Sequence, residues 1–164
     1  MNRMDGVLFL ESQKLSGWVK WMALLPIIVF LLIEILRQHR PSNREDAVGV
    51  YILLSILAAV MFLVYGFRLI TEVRSDGVYI KFWPISWKFK RIGFEEIIRC
   101  YARKYRPIAE YGGWGIRWGG SGKAYNASGN MGVQLELING KRLLIGSQQA
   151  EKLAETINAA MQKA

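Results

Sequence analysis

The stretch at 132–146, GVQLELINGKRLLIG, decides how the C-terminal half of the chain folds. Apolar and polar side chains alternate in its first part, with Val133 and Leu135 on one side, as is typical of a half-buried strand. Asn139-Gly140 is the preferred two-residue turn of a β-hairpin. The stretch therefore predicts two antiparallel strands joined by a tight turn.

The same period of two extends through the residues that precede this hairpin. Val78, Ile80 and Phe82 fall on one face of an extended chain. After the hairpin, residues 148–162 repeat an apolar side chain every fourth position, which indicates an amphipathic helix. The region 69–164 is therefore predicted to be mainly β, a small antiparallel barrel or sandwich of about seven strands capped by a C-terminal helix.

Two long apolar segments precede this domain. The run AVGVYILLSILAAVMFLVYGF within 47–68 has no charged residue, and as a helix it would span the roughly 30 Å hydrocarbon core of a bilayer. The segment 18–36 is interrupted by Lys20 and Glu34, which fit interfacial positions. We predict two transmembrane helices, forming a membrane hairpin around a polar loop at 37–46.

The distribution of basic residues predicts how this hairpin is oriented. Six basic residues flank it on the side of the termini, and three lie in the loop between the helices. This bias predicts a multi-pass protein of the plasma membrane with both termini and the 69–164 domain in the cytoplasm. A lone thiol, Cys100, agrees with a reducing compartment. Residues 1–17 are expected to form either an interfacial segment or a plain helical lead-in.

Several pieces of the chain are similar to a known group of proteins. The chain resembles prokaryotic membrane proteins that have two N-terminal membrane helices and a bacterial pleckstrin-homology-like domain. The pieces that carry the resemblance, to an uncharacterised branch of that group, are GGWGIR, AYNASGNMGVQLEL and LLIGSQQAEKL. The resemblance covers nearly the whole chain and implies a seven-stranded barrel capped by a helix. Its motifs are structural, so it implies no activity, no cofactor and no site residues.

The residues offer little for catalysis. His39 and Cys100 are the only histidine and cysteine and lie far apart in the chain, which excludes a cysteine-rich metal site. Glu95 and Glu96 are adjacent and would point to opposite faces of a strand. The glycines match no phosphate-binding pattern. We therefore predict a protein that is not an enzyme and that uses neither a cofactor nor a metal.

A glycine-rich segment, YGGWGIRWGGSG, contains the residues most typical of a binding hot spot. Trp114, Arg117 and Trp118 are predicted as a partner site, because tryptophan and arginine dominate the energetics of protein interfaces. The other interpretation, which the bulk of the side chains favours, is that Trp114, Ile116 and Trp118 pack into the core, since alternation places them on one side of a strand.

A net charge of +9 disfavours basic partners. Five basic residues could face an anionic lipid surface: Lys88, Lys90, Arg91, Arg99 and Arg103. The predicted function is a non-enzymatic, membrane-anchored interaction or scaffold module that docks a protein partner or its own copies. The alternative is an anionic-lipid-sensing domain tethered to the membrane. Nucleic acid is disfavoured as a partner because of the expected membrane tether.

Overall fold

The computed structural model describes residues 6–15, 17–37 and 44–163, which form nine strands and four helices. In chain order the elements are β1 (Val7–Lys14), α1 (Gly17–Arg37), α2 (Arg44–Gly66), β2 (Arg68–Arg74), β3 (Gly77–Trp83), β4 (Lys90–Ile92), β5 (Ile97–Lys104), α3 (Pro107–Tyr111), β6 (Gly115–Gly119), β7 (Gly122–Asn126), β8 (Met131–Leu137), β9 (Arg142–Gly146) and α4 (Ala150–Met161).

The strands form two sheets. The first has the order β1-β2-β3-β4, and all its neighbours are antiparallel. The second has the order β5-β8-β9-β7-β6, in which β7 and β9 are parallel and the other pairs antiparallel. The mainly-β prediction is thus confirmed, but the pleckstrin-homology-like barrel of about seven antiparallel strands is wrong. An unexpected N-terminal strand and the parallel β7–β9 pair account for the difference.

The main core contains inward-facing side chains of both sheets and the apolar stripe of α4. Val78, Ile80 and Phe82, predicted to share one face of β3, are all buried there. Leu153 and Ile157 of α4 are fully buried in the same cluster. Burying such side chains contributes about 1.5–3 kcal/mol each, so this cluster dominates the stability of the β unit.

The hairpin between β8 and β9 differs from the predicted two-residue turn. Gly140 adopts a left-handed conformation with φ of 72°, but Asn139 does not. The Asn139 side chain instead accepts a hydrogen bond of 3.0 Å from the Lys141 amide, and the Leu137 amide donates to the Lys141 carbonyl. The connection is therefore a longer loop in which only the glycine needs positive φ.

The N-terminal segment is a strand rather than the interfacial or helical lead-in expected at 1–17. Strand β1 alternates buried and exposed side chains and pairs along its length with β2. Its last residue, Lys14, lies opposite Arg68, the first residue of β2. Along the chain, α1 and α2 therefore connect two strands that are neighbours in one sheet.

Helices α1 and α2 make up a separate compact unit, Leu15–Gly66. Across the described ranges, the helices lack the combination of length and apolar character needed to cross a membrane. This finding contradicts the membrane hairpin predicted at 18–36 and 47–68. It also contradicts the predictions that depend on it: integral membrane association and a multi-pass plasma-membrane location with cytoplasmic termini.

In α1, charged residues near both ends shorten the uncharged stretch. Between Lys20 and Glu34, α1 has 13 uncharged residues. They make about 20 Å of helix against a hydrocarbon core of about 30 Å. Most of the predicted loop at 37–46, with His39, lies outside the described residues.

Candidate functional site

The face of the second sheet that points away from the main core carries a second apolar cluster. Tyr105 and Tyr111 pack there on Ala124 and Leu144. The two tyrosine rings meet edge to face, with centroids 6.0 Å apart. Tyr105 lies two residues before α3, and Tyr111 is the last residue of that helix. This short helix and the turn before it therefore lie over the outer face of the sheet.

Glycines allow α3 to approach the sheet closely. A Cβ atom at Gly119 in β6 would overlap the carbonyl oxygen of Glu110 in α3. Gly112 ends the helix in the left-handed region, with φ of 70°, and its amide donates to the Ile108 carbonyl. Pro107 begins the helix, where its missing N–H costs nothing. The glycine-rich sequence thus positions α3 against the edge of the sheet.

Arg103 in β5 connects α3 to the sheet through side-chain hydrogen bonds. Its Nε donates to Gln134 Oε1 at 3.0 Å, and its Nη2 donates to Glu110 Oε2 at 2.9 Å and to the Tyr111 hydroxyl at 3.1 Å. The other oxygen of Glu110 accepts from the Arg106 amide at 2.7 Å. We call Arg103, Glu110, Tyr111 and Gln134 the Arg103 network.

The ionisation of the Arg103 network follows from these contacts. Burial disfavours charge on Glu110, but hydrogen bonds from Arg103 and the Arg106 amide outweigh it and lower the pKa of the carboxyl. Burial likewise opposes the charge of Arg103, and the Glu110 contact raises the pKa of the guanidinium. Burial raises the pKa of Tyr105 to about 12. The pair is therefore ionised at neutral pH and the Tyr105 hydroxyl is not.

An open groove of about 680 Å³ lies beside α3. Ile108 is 64% exposed within it, and Trp114 forms part of the wall. The indole N–H of Trp114 donates to the Gly129 carbonyl at 3.1 Å, which fixes the ring. Lys104 and Arg106, both exposed, add positive charge to the lining. The groove thus combines an apolar surface with a basic margin. We refer to it as the α3 groove.

The structure does not bring the predicted partner residues into one site. Trp114 lines the α3 groove, whereas Trp118 is 70% exposed and lies over the Lys123 ammonium. Arg117 is exposed, and its Nε donates to the Trp114 carbonyl at 3.0 Å. Ile116 packs against the main core. The core-packing alternative therefore describes Ile116 but not Trp118.

The five basic residues predicted to face lipid are likewise divided. Arg91 pairs with Asp76 at 3.0 Å and with Glu95 at 3.6 Å, and Arg103 belongs to the network described above. Arg99 lies over the Tyr101 ring at 5.0 Å. Lys88 precedes β4 and is exposed, and Lys90 is the first residue of that strand. Two of the five cations are thus engaged by carboxylates within the fold.

A second group of cationic and aromatic side chains lies where β4 approaches β6 and β7. Lys123 Nζ is 4.4 Å from the Trp118 ring centroid and 4.9 Å from that of Tyr125. Lys90 Nζ is 5.9 Å from the same Tyr125 centroid. We call Lys90, Trp118, Lys123 and Tyr125 the Lys90–Lys123 patch. Lys123 and Tyr125 were not among the predicted site residues. Their positions on either side of Ala124 in a strand could have indicated that the two side chains share a face.

The buried carboxylate of Glu11, near the start of α4, was also not predicted. Glu11 in β1 accepts hydrogen bonds from Ser147 Oγ at 2.6 Å, from the Gln148 amide at 2.9 Å and from Gln13 Nε2 at 3.1 Å. Ser147 Oγ in turn accepts from the Gln149 amide. The carboxylate therefore ties the N-terminal strand to the residues that lead into α4.

The groups considered for catalysis have structural surroundings. Cys100 is buried beneath α4, and burial raises the pKa of its thiol to about 12, which suppresses the nucleophilic thiolate. Glu96 accepts a hydrogen bond from the Gly93 amide, and Glu95 pairs with Arg91. Among the described residues, no three His, Cys, Asp or Glu side chains cluster in a way that could hold a metal ion.

The fold and the groove define a mainly-β protein of two sheets with an open, partly basic groove on the outer face of one of them. The chain belongs to DUF6141, a family of unknown function, and the match covers residues 1–163. No curated protein and no solved structure matches the chain. The pleckstrin-homology-like resemblance therefore gains no support from these comparisons. The function must be inferred from the residues of the groove and their contacts.

Proposed function

We propose that the protein is a non-enzymatic interaction module and that the α3 groove docks an acidic segment of a partner protein. The observation that carries this proposal is the composition of the groove. An exposed isoleucine and a fixed tryptophan supply apolar surface, and Lys104 and Arg106 supply positive charge at its margin.

Electrostatics within the groove support the choice of an acidic partner. Glu110 is the acidic residue of the lining, and its carboxylate is already hydrogen-bonded to Arg103 and to the Arg106 amide. The positive charges of Lys104 and Arg106 thus face an incoming segment without a competing carboxylate of the lining. Complementary charge of this kind steers encounter and fixes register, while apolar anchors supply affinity.

The rigidity of the wall supports a docking role. The Trp114 indole is held by the Gly129 carbonyl, and α3 is fixed to the sheet by the Arg103 network. A preorganised surface loses little conformational entropy when a partner binds. The lipid-sensing alternative has less support, since Arg91 and Arg103 are paired with carboxylates of the chain itself.

Site-specific photo-crosslinking in the full-length protein tests the proposal. A photoreactive residue would replace Ile108 in the groove or, as the matched control, Ile138, which lies in the β8–β9 loop and is 65% exposed against 64% for Ile108. We expect crosslinks at 108 that map by mass spectrometry to a segment with net negative charge and apolar side chains. They should be absent at 138, and K104E together with R106E should remove them.

A synthetic peptide of the mapped segment should bind the purified full-length protein, and R106E should weaken this binding by about tenfold or more. Equal crosslinking at both positions, or a mapped segment with net positive charge, would refute the acidic-segment proposal. Binding that R106E leaves unchanged would refute it as well.

A further inference from the structure

We infer that the Lys90–Lys123 patch is a second binding site, separate from the α3 groove, and that it takes a phosphate group carried on a flat or apolar organic moiety. None of its four residues lines the groove. This inference therefore does not rest on the proposed docking function.

Lys90 and Lys123 give the patch two positive charges. Both ammonium nitrogens lie within 6 Å of the Tyr125 ring centroid, so they are at most about 11 Å apart. In the part of the chain that the structure describes, neither forms an ion pair with a carboxylate. A multiply charged anion bound beside them is attracted by both cations, and no carboxylate of the described residues pairs with either one.

Aromatic surface lies beside these two charges. Tyr125 is 6% exposed and forms a buried floor, whereas Trp118 is 70% exposed at the end of an edge-side strand. Lys123 lies over one face of the indole, so a flat or apolar group would contact the rest of the exposed ring. An anion bound to Lys123 is therefore held beside the indole.

The two ammonium groups favour a ligand with more than one negative charge. A phosphate monoester carries a charge of about −1.5 to −2 at pH 7, which matches two ammonium groups better than a single carboxylate does. Lysine binds phosphate as a point charge with three donors and needs no fixed fork geometry. The patch therefore suits a phosphate ester more than a neutral ligand or a monoanion.

Titration of the full-length protein with phenyl phosphate, inorganic phosphate and phenol tests the inference. The readout is the indole N–H resonance of Trp118, assigned through Trp118→Phe. We expect saturable shifts with phenyl phosphate, weaker binding of inorganic phosphate and no binding of phenol. Raising the salt concentration should weaken the binding, because the attraction is electrostatic.

Matched variants locate the site. Lys123→Gln and Lys90→Gln should each weaken phenyl phosphate binding by about tenfold, whereas Lys123→Arg should retain it. Lys141→Gln, which removes an exposed cation from the β8–β9 loop, should leave it unchanged. Unaltered melting of each variant would show that the fold is intact. Equal loss in Lys141→Gln, unaltered binding in Lys123→Gln, or equal binding of phenyl and inorganic phosphate would overturn the inference.

Discussion

Arg103 and Lys123 are both basic residues on strands of the second sheet, yet their surroundings differ. Arg103 donates to Glu110, Tyr111 and Gln134, so its charge is satisfied within the fold. Lys123 lies against two aromatic rings and has no ion pair in the described ranges. The comparison shows that a basic residue in a strand can fasten a helix to a sheet or remain available to a ligand. What decides is whether a carboxylate lies within reach.

The largest effect is expected where α3 meets the sheet. Gly119→Ala should destabilise the protein by about 3 kcal/mol, because the added methyl group would overlap the Glu110 carbonyl and displace α3. Gly120→Ala is the matched control, since a Cβ atom there meets open space. Chemical denaturation of the full-length variants measures the difference. Equal stability of the two variants would show that α3 does not depend on this close approach.

A smaller effect is expected for the central cation of the network. Arg103→Met should cost about 1–2 kcal/mol, because Glu110 and Gln134 lose a charged donor at a site that is about a quarter exposed. Arg99→Met, in the same strand, should cost less than about 0.5 kcal/mol, since Arg99 lies over a tyrosine ring and pairs with no carboxylate of the described residues. Urea unfolding compares the two, and equal costs would contradict the contrast drawn above.

The Arg103–Glu110 pair also predicts a dependence on pH. The pKa of Glu110 lies below its ordinary value of 4.5 in the folded protein. Its contribution to stability is therefore present above that ordinary value and is lost as the pH falls through the folded pKa. Glu110→Gln should be less stable than the wild type at pH 7, and this gap in unfolding free energy should narrow at pH 3. A gap that is constant with pH would contradict an ionic contribution.

The alternation of apolar residues and their helical spacing predicted strand β3 and helix α4 correctly. The alternation of Val78, Ile80 and Phe82 and the apolar stripe of α4 are both observed in the main core. A local pattern fails where a single residue shifts the register. The shift between Ile97 and Arg99 leaves Ile98 65% exposed, although strict alternation would place it on the same side as the buried Cys100.

The candidate sites were less predictable because they depend on distant residues. Glu11 and Ser147 are separated by 136 positions, so no local sequence pattern could predict their hydrogen bond. Trp114 and Trp118 share one side of a strand by spacing, yet one lines the groove and the other lies over Lys123. Residue type marked the glycine-rich segment as unusual within the sequence. Only the topology separated its two tryptophans into different surfaces.

The smallest effect on stability is expected in the patch, and it is the sharpest test of the comparison. Lys123→Gln removes a cation that has no carboxylate partner in the described part of the chain, so no buried charge is left unpaired. The loss of its contacts with Trp118 and Tyr125 should cost about 0.5 kcal/mol, and the relief of repulsion from Lys90 should offset part of that. We therefore expect a melting temperature nearly equal to that of the wild type, measured on the full-length protein without ligand. With phenyl phosphate added, the wild type should gain stability by mass action and Lys123→Gln should gain much less. If Lys123→Gln were instead destabilised as much as Arg103→Met, Lys123 would be a structural cation like Arg103, and the distinction between the two regions would be lost.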